Sequence, residues 1–194
     1  CPTSTSPDAE DWGTSGQPGA LTPQAVCDYK ASAGSYAGDH GGLPAQPQQR
    51  RNGLFYRDSV IRLVDISDGT SNTVMAGESN WRLTQVPRLY GTVEPTTGTA
   101  TGGSNRLLSH AEWGLNIPAT SPTNNLAESF SSLHAGGANF ALADGSVRFI
   151  SDRIQHTAFP WNAANPFDQN NGGVGYGIYQ RLFSRNDGLP LGDF

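Results

Sequence analysis

A chain of 194 residues, 36% hydrophobic, fits one domain, and its 24 glycines and 13 prolines favour short strands joined by many turns over a compact helical bundle. Its net charge of −5, with no basic run longer than Arg50-Arg51, argues against a nucleic-acid footprint and against attraction to anionic lipid. No stretch approaches about 18 consecutive apolar residues, so none is expected to span a membrane.

Residues 1–24 are rich in Ser, Thr, Pro, Gly and Asp with one aromatic, Trp12, and read as an irregular surface segment. Cys1 and Cys27 flank it in polar sequence. A disulfide between them is the expectation in an oxidising compartment, where it would constrain a loop with little core of its own; a buried free thiol is the alternative. A strand is expected over 26–33, and 38–51 is expected to be loop. The cluster Val60, Ile61, Leu63, Val64 and Ile66 suits a strand or one helical turn ending near Asp65. Asp68-Gly69 is a turn, and residues 72–78 alternate enough for a strand with Val74 inward. Residues 92–105, rich in Thr and Gly, should form an exposed loop; 107–130 carries few apolar anchors. Near the end, 178–184 can make a short helix burying Ile178 and Leu182, closed by Asn186-Asp187-Gly188.

The clearest local signal is a hairpin over 138–151, two β-forming runs around Asp144-Gly145. A two-residue loop would set Leu142 opposite Val147 and Phe140 opposite Phe149, gathering four large apolar side chains on one face. A three-residue loop would instead set Phe140 against Arg148 and spoil that face, so the even loop is predicted. The fold class expected from these elements is α+β, a strand-dominated antiparallel sheet with few short helices and long irregular loops in a single domain over 1–194.

Before the hairpin, His134-Ala-Gly136-Gly137 breaks the chain, and His134 stands nine intervening residues ahead of Asp144. The pattern of His134, Gly136, Gly137, Asn139, Asp144 and Gly145 resembles the His-x9-Asp-Gly signature of a large bacterial family of unknown function typical of planctomycetes, also labelled solute-binding-like. The segment containing Asp68, Gly69, Asn72 and Glu78 is similar to the family's "DGTSNT…GE" block, and Cys1-Pro-Thr-Ser with residues 27–34 resembles a third, weaker one. The resemblance covers most of residues 1–155. It implies the globular head of a prepilin-like surface protein, with a leader and long apolar helix expected ahead of residue 1. It further implies extracellular or periplasmic display and assembly with copies of itself or other pilin-like subunits, with membrane attachment only through that helix.

Chemistry must be weighed beside this. His134 and Asp144 could form a general-base pair, but an extended strand between them would hold them about 20 Å apart. The expectation is therefore structural, with Asp144 shaping the turn and His134 tethering the strand entry. Asp65, Asp68 and Glu78 lie in an oxygen-rich stretch that could hold calcium, although the spacing matches no EF-hand and no cofactor is required. Trp12, Trp81, Trp113 and Trp161 could stack on sugar rings, as an extracellular glycan- or solute-binding module would need. No G-x-S-x-G, H-E-x-x-H, Walker loop or dinucleotide fingerprint is present. A non-enzymatic structural protein is the first expectation, the binding module the second and a secreted hydrolase the last.

Overall fold

The computed structural model describes residues 9–10, 24–25, 27–35, 52–56, 59–80, 107–157, 177–192 and 194. Cys1, Trp12, Trp81, Trp161 and the 92–105 loop lie outside them. A two-stranded ribbon pairs β1 (Ala9–Glu10) with β2 (Gln24–Ala25). The main sheet contains β3 (Tyr29–Gly34), β4 (Val74–Glu78), β5 (Leu108–His110), β6 (Gly137–Leu142) and β7 (Val147–Ser151), in the order β5-β3-β4-β6-β7. Among the described residues two short helices accompany it, α1 (Thr123–Glu128) and α2 (Ile178–Phe183). The fold is thus α+β and strand-dominated.

One pairing departs from the antiparallel expectation, because β5 runs parallel to β3. Parallel neighbours need a long crossover, and the chain between these strands is amply long. The 60–66 cluster resolves as a 3-10 turn over Leu63–Asp65 rather than a strand.

The core lies on one side of the sheet. Val74, Ala138, Phe140, Leu142 and Ile150 are buried there against Phe130 and against Tyr179, Leu182 and Phe183 of α2. Phe130, Phe140 and Phe183 form a closed triangle with ring centroids 5.1–5.8 Å apart, in the edge and tilted geometries that the ring quadrupole favours. Gly77 on β4 faces this triangle: an added Cβ would lie 2.3 Å from the Phe140 ring and 2.8 Å from Phe130. The glycine gives the rings their space.

The hairpin forms where the sequence places it, but its predicted register is wrong. Gly145 N–H donates to the Leu142 carbonyl (3.0 Å), and Leu142 N–H donates to the Ser146 carbonyl (2.8 Å), leaving the three-residue loop 143–145. Phe140 therefore stands opposite Arg148, Ala141 opposite Val147 and Asn139 opposite Phe149. Gly145 closes the turn at φ +85°, the left-handed residue of a three-residue loop. Asp144 Oδ1 accepts from Ser146 N–H (2.9 Å) and from its hydroxyl (2.7 Å), which favours the odd count. The expected penalty is met elsewhere, because the Arg148 guanidinium lies 5.1 Å from the centre of the Phe194 ring. From β7 only Ile150 enters the core, while Val147 and Phe149 turn outward, 67% and 51% exposed.

Nothing lies within 4 Å of a Cβ built on Gly145, so a side chain there meets only backbone strain. Gly145→Val is expected to cost about 1–2 kcal/mol and Gly145→Asn far less. A thermal melt in which the valine variant matched the parent would contradict the left-handed turn.

Candidate functional site

The two recognisable sequence blocks form one structural unit. Asp68 to Glu78 supplies a turn followed by β4; His134 to Gly145 supplies a turn, β6 and the hairpin loop. β4 and β6 pair antiparallel, with Val74 opposite Leu142 and Gly77 opposite Phe140, so each end of one block meets an end of the other.

At one end the two turns dock through main chain. Asp144 N–H donates to the Thr70 carbonyl (3.1 Å) and Ala143 N–H to the Thr73 carbonyl (2.9 Å). The 68–73 turn is held by its own side chains: Asn72 Nδ2 donates to the Asp68 carbonyl and Thr73 Oγ1 to the Gly69 carbonyl, both at 3.1 Å, with Gly69 at φ +95°. Asp68 points toward the C-terminal segment, its two oxygens accepting from the main-chain amides of Asp187 (2.7 Å) and Gly188 (2.9 Å).

At the other end sits Glu78, a carboxylate only 4% exposed. Its Oε2 accepts the main-chain N–H of Asn139 (2.9 Å) and lies 3.4 Å from the Asn139 side-chain amide; its Oε1 lies 3.2 Å from His134 Nε2. His134 is oriented from the other side by its own N–H, which donates to Ser132 Oγ (3.1 Å), and Ser132 N–H donates in turn to Asn116 Oδ1 (2.7 Å). Asn116 adopts φ +56°, a conformation asparagine tolerates better than most residues. The paired glycines have separate reasons. Gly136 has φ +79°, whereas a Cβ on Gly137 would fall 2.1 Å from the Ile150 carbonyl oxygen.

An imidazole held by a buried carboxylate is the orienting half of a general-base pair. Here the same carboxylate takes a main-chain amide of the adjacent strand, making it a brace between β4 and the entry to β6. Asp144 belongs to the far end of β6 and His134 to the near end, each with its own partners. Asp144's carboxyl is held below the usual range, first by its side-chain bond from Ser146 and then by the Ser146 amide.

The proposed cation ligands are likewise engaged separately. Asp65 is gripped by Arg62 through Nε (3.1 Å) and Nη2 (2.9 Å), which holds its carboxyl at about 2, while Asp68 and Glu78 take the amides described above. Among the described residues no group of three or more His, Cys, Asp or Glu side chains is placed to hold a metal ion. Cys27 is a half-buried free thiol, and Trp113 is half-buried.

Two features escaped the sequence reading. Lys30, the only lysine, is fully buried and donates from Nζ to the Ala127 carbonyl at the end of α1. The solitary lysine inside a predicted strand was the available signal. Asp187 was assigned only to a turn, yet its carboxyl sits beside Asp68 with Oδ2 buried and unbonded, while Oδ1 accepts from Leu189 N–H (2.8 Å).

Burial above all pushes the Asp187 carboxyl up to about 7; the Leu189 amide opposes it most, and the smaller raising effect of the adjacent Asp68 is partly offset by Arg181. A carboxyl raised in the folded state binds more protons there than in the unfolded chain between about pH 4 and 7. Its stabilising contribution is whole below pH 4 and is lost as pH rises through 7. Relative to Asp187→Asn, the parent Tm should therefore fall between pH 4 and 8; parallel curves for the two proteins would rule the coupling out.

A family described as proteins of unknown function (DUF1559), with the solute-binding-like label SBP_bac_10, matches residues 1–157. The chain belongs to the DUF1559 family. Both blocks, the Glu78 brace and the docked turns lie inside the matched span, whereas α2 of this DUF1559 protein, which closes the aromatic core, lies beyond it. Neither a curated protein nor a solved structure matches the chain.

Proposed function

We propose that this DUF1559 protein is a non-catalytic structural and assembly protein, the globular head of a prepilin-like subunit displayed outside the cytoplasmic membrane. One observation supports this reading above others: the acidic residues of its two blocks accept main-chain amides. Glu78 takes Asn139 N–H, Asp68 takes those of Asp187 and Gly188, and Asp144 takes that of Ser146. A carboxylate committed to holding backbone in place contributes shape, and shape is what a displayed subunit requires. The role requires no cofactor.

Native cells provide the test. Mechanical shearing of the surface should release the protein in a multimeric fraction, and its intact mass and N-terminal sequence should reveal a preceding apolar helix. Recovery as a cytosolic monomer would overturn the proposal. A shed monomer that bound oligosaccharide would favour the glycan- or solute-binding role instead.

A further inference from the structure

The odd hairpin register leaves one residue on an unexpected side of the sheet. Directly opposed positions of paired strands share a face, and Arg148 stands opposite Phe140. Arg148 therefore lies on the same side as Ala138, Phe140, Leu142 and Ile150, all buried in the core, while Val147 and Phe149 turn to solvent. A charged residue on the core side of an edge strand, between two exposed apolar neighbours, runs against the local pattern. Breaks of that kind collect at functional sites.

At this edge the fold leaves a cavity of about 290 Å³, lined by Asn72, Arg148, Leu191, Gly192 and Phe194. The Arg148 guanidinium is steadied 5.1 Å from the centre of the Phe194 ring, and among the described residues it makes no hydrogen bond and no ion pair. Asp144 is engaged by Ser146, and the Arg148 charge is the last of the causes that lower its carboxyl. Contact with a ring face leaves the N–H donors of the guanidinium fork available. Asn72 is anchored as well: its Nδ2 donates to the Asp68 carbonyl (3.1 Å), which leaves Oδ1 as an uncommitted acceptor. Leu191 packs against the core and gives the cavity an apolar wall.

These groups select a ligand by chemistry. A guanidinium fork matches a planar carboxylate, which it can hold through two parallel hydrogen bonds. A single arginine in a chain of net charge −5 suits one negative charge better than the two of a phosphate. The Asn72 oxygen requires an O–H on the same ligand. The volume lies at the lower end of the roughly 300–1,000 Å³ usual for ligand sites, room for about one sugar ring.

We propose that this cavity binds a small hydroxycarboxylate, with the carboxylate on the Arg148 fork and a hydroxyl on Asn72 Oδ1. The site goes beyond the assembly role and does not depend on it.

The probe is glucuronate, titrated into the purified chain at low ionic strength and followed by amide chemical shifts. The parent should bind it saturably at millimolar concentrations, with shifts centred on Asn72, Arg148 and Gly192, and more weakly as salt is added. Arg148→Gln removes the charge and the fork and should weaken binding at least roughly tenfold, whereas Arg148→Lys keeps the charge and should fall between. Gly192→Phe tests the cavity itself. A Cβ there meets only Ile178 Cδ1, at 4.0 Å, so the added ring should fold in place and block binding with Arg148 untouched. Arg148 and Gly192 are exposed, and thermal melts of all three variants should match the parent. Glucose, the same ring without the carboxylate, should not compete. Several results would overturn the assignment: no saturable binding by the parent, glucose bound as tightly as glucuronate, inorganic phosphate bound more tightly, or glucuronate binding that survives Arg148→Gln. None of them touches the sheared-surface multimers, so the ligand site and the assembly role fail separately.

Discussion

Glu78→Ala is expected to lower stability by about 3 kcal/mol, since it removes a buried acceptor and strands the amides and imidazole gathered on it. Glu78 is 4% exposed and takes the Asn139 main-chain amide at 2.9 Å, so solvent does little to replace it. Glu78→Gln keeps an acceptor oxygen but loses the charge and presents an NH2 group to one of its former donors. It should fall between the parent and the alanine variant. His134→Ala removes only the outer partner, whose side chain is 31% exposed, and should cost about 1 kcal/mol or less. Urea denaturation of the three variants measures this ordering. Equal losses for His134→Ala and Glu78→Ala would mean that the imidazole contact, rather than the main-chain amide, carries the brace.

Phe140→Ala should be the most damaging single truncation, at roughly 4 kcal/mol, because the ring is wholly buried and touches two other aromatics. Gly77→Ala should cost about 1–3 kcal/mol for the opposite reason, forcing a methyl group to within 2.3 Å of the same ring. Combining them brings the two errors together, since the added methyl enters the space the ring has left. The double variant should therefore be more stable than the sum of the single losses by about 1 kcal/mol or more. Strict additivity in paired denaturation curves would show that Gly77 is required for something other than room for Phe140.

Local order was largely legible in the residues. Asp144-Gly145 marked a hairpin, Asp68-Gly69 a turn, Val74 an inward strand position, and 178–184 a short helix, because turn chemistry and apolar spacing act over a few residues. The register escaped for a specific reason. Apolar pairing alone favoured an even loop, but Asp144 hydrogen-bonds Ser146, Gly145 takes the left-handed conformation, and Arg148 finds the Phe194 ring, 46 residues further along. The cost that seemed to exclude the odd loop is removed by a residue the local pattern could not include. α1 was missed because, among its described side chains, burial falls on Leu126 and Ala127, too few anchors to register as a period.

The site divides in the same way. Glu78, His134, Gly136, Gly137 and Asn139 were all singled out as residues, but as members of two separate motifs. Their meeting is a contact across 56 and 61 positions that no spacing rule encodes.

What the amino-acid sequence determined by itself was a strand-rich fold with sparse charge, the positions of its tightest turns, and membership in the DUF1559 family. Tertiary structure alone decided which way the β7 side chains face, that the two blocks close on each other at both ends, and that Asp187 shares its surroundings with Asp68. Turn and strand preferences are energies of neighbouring residues, whereas the depth of a carboxylate and the identity of its donors exist only after distant segments have excluded water together.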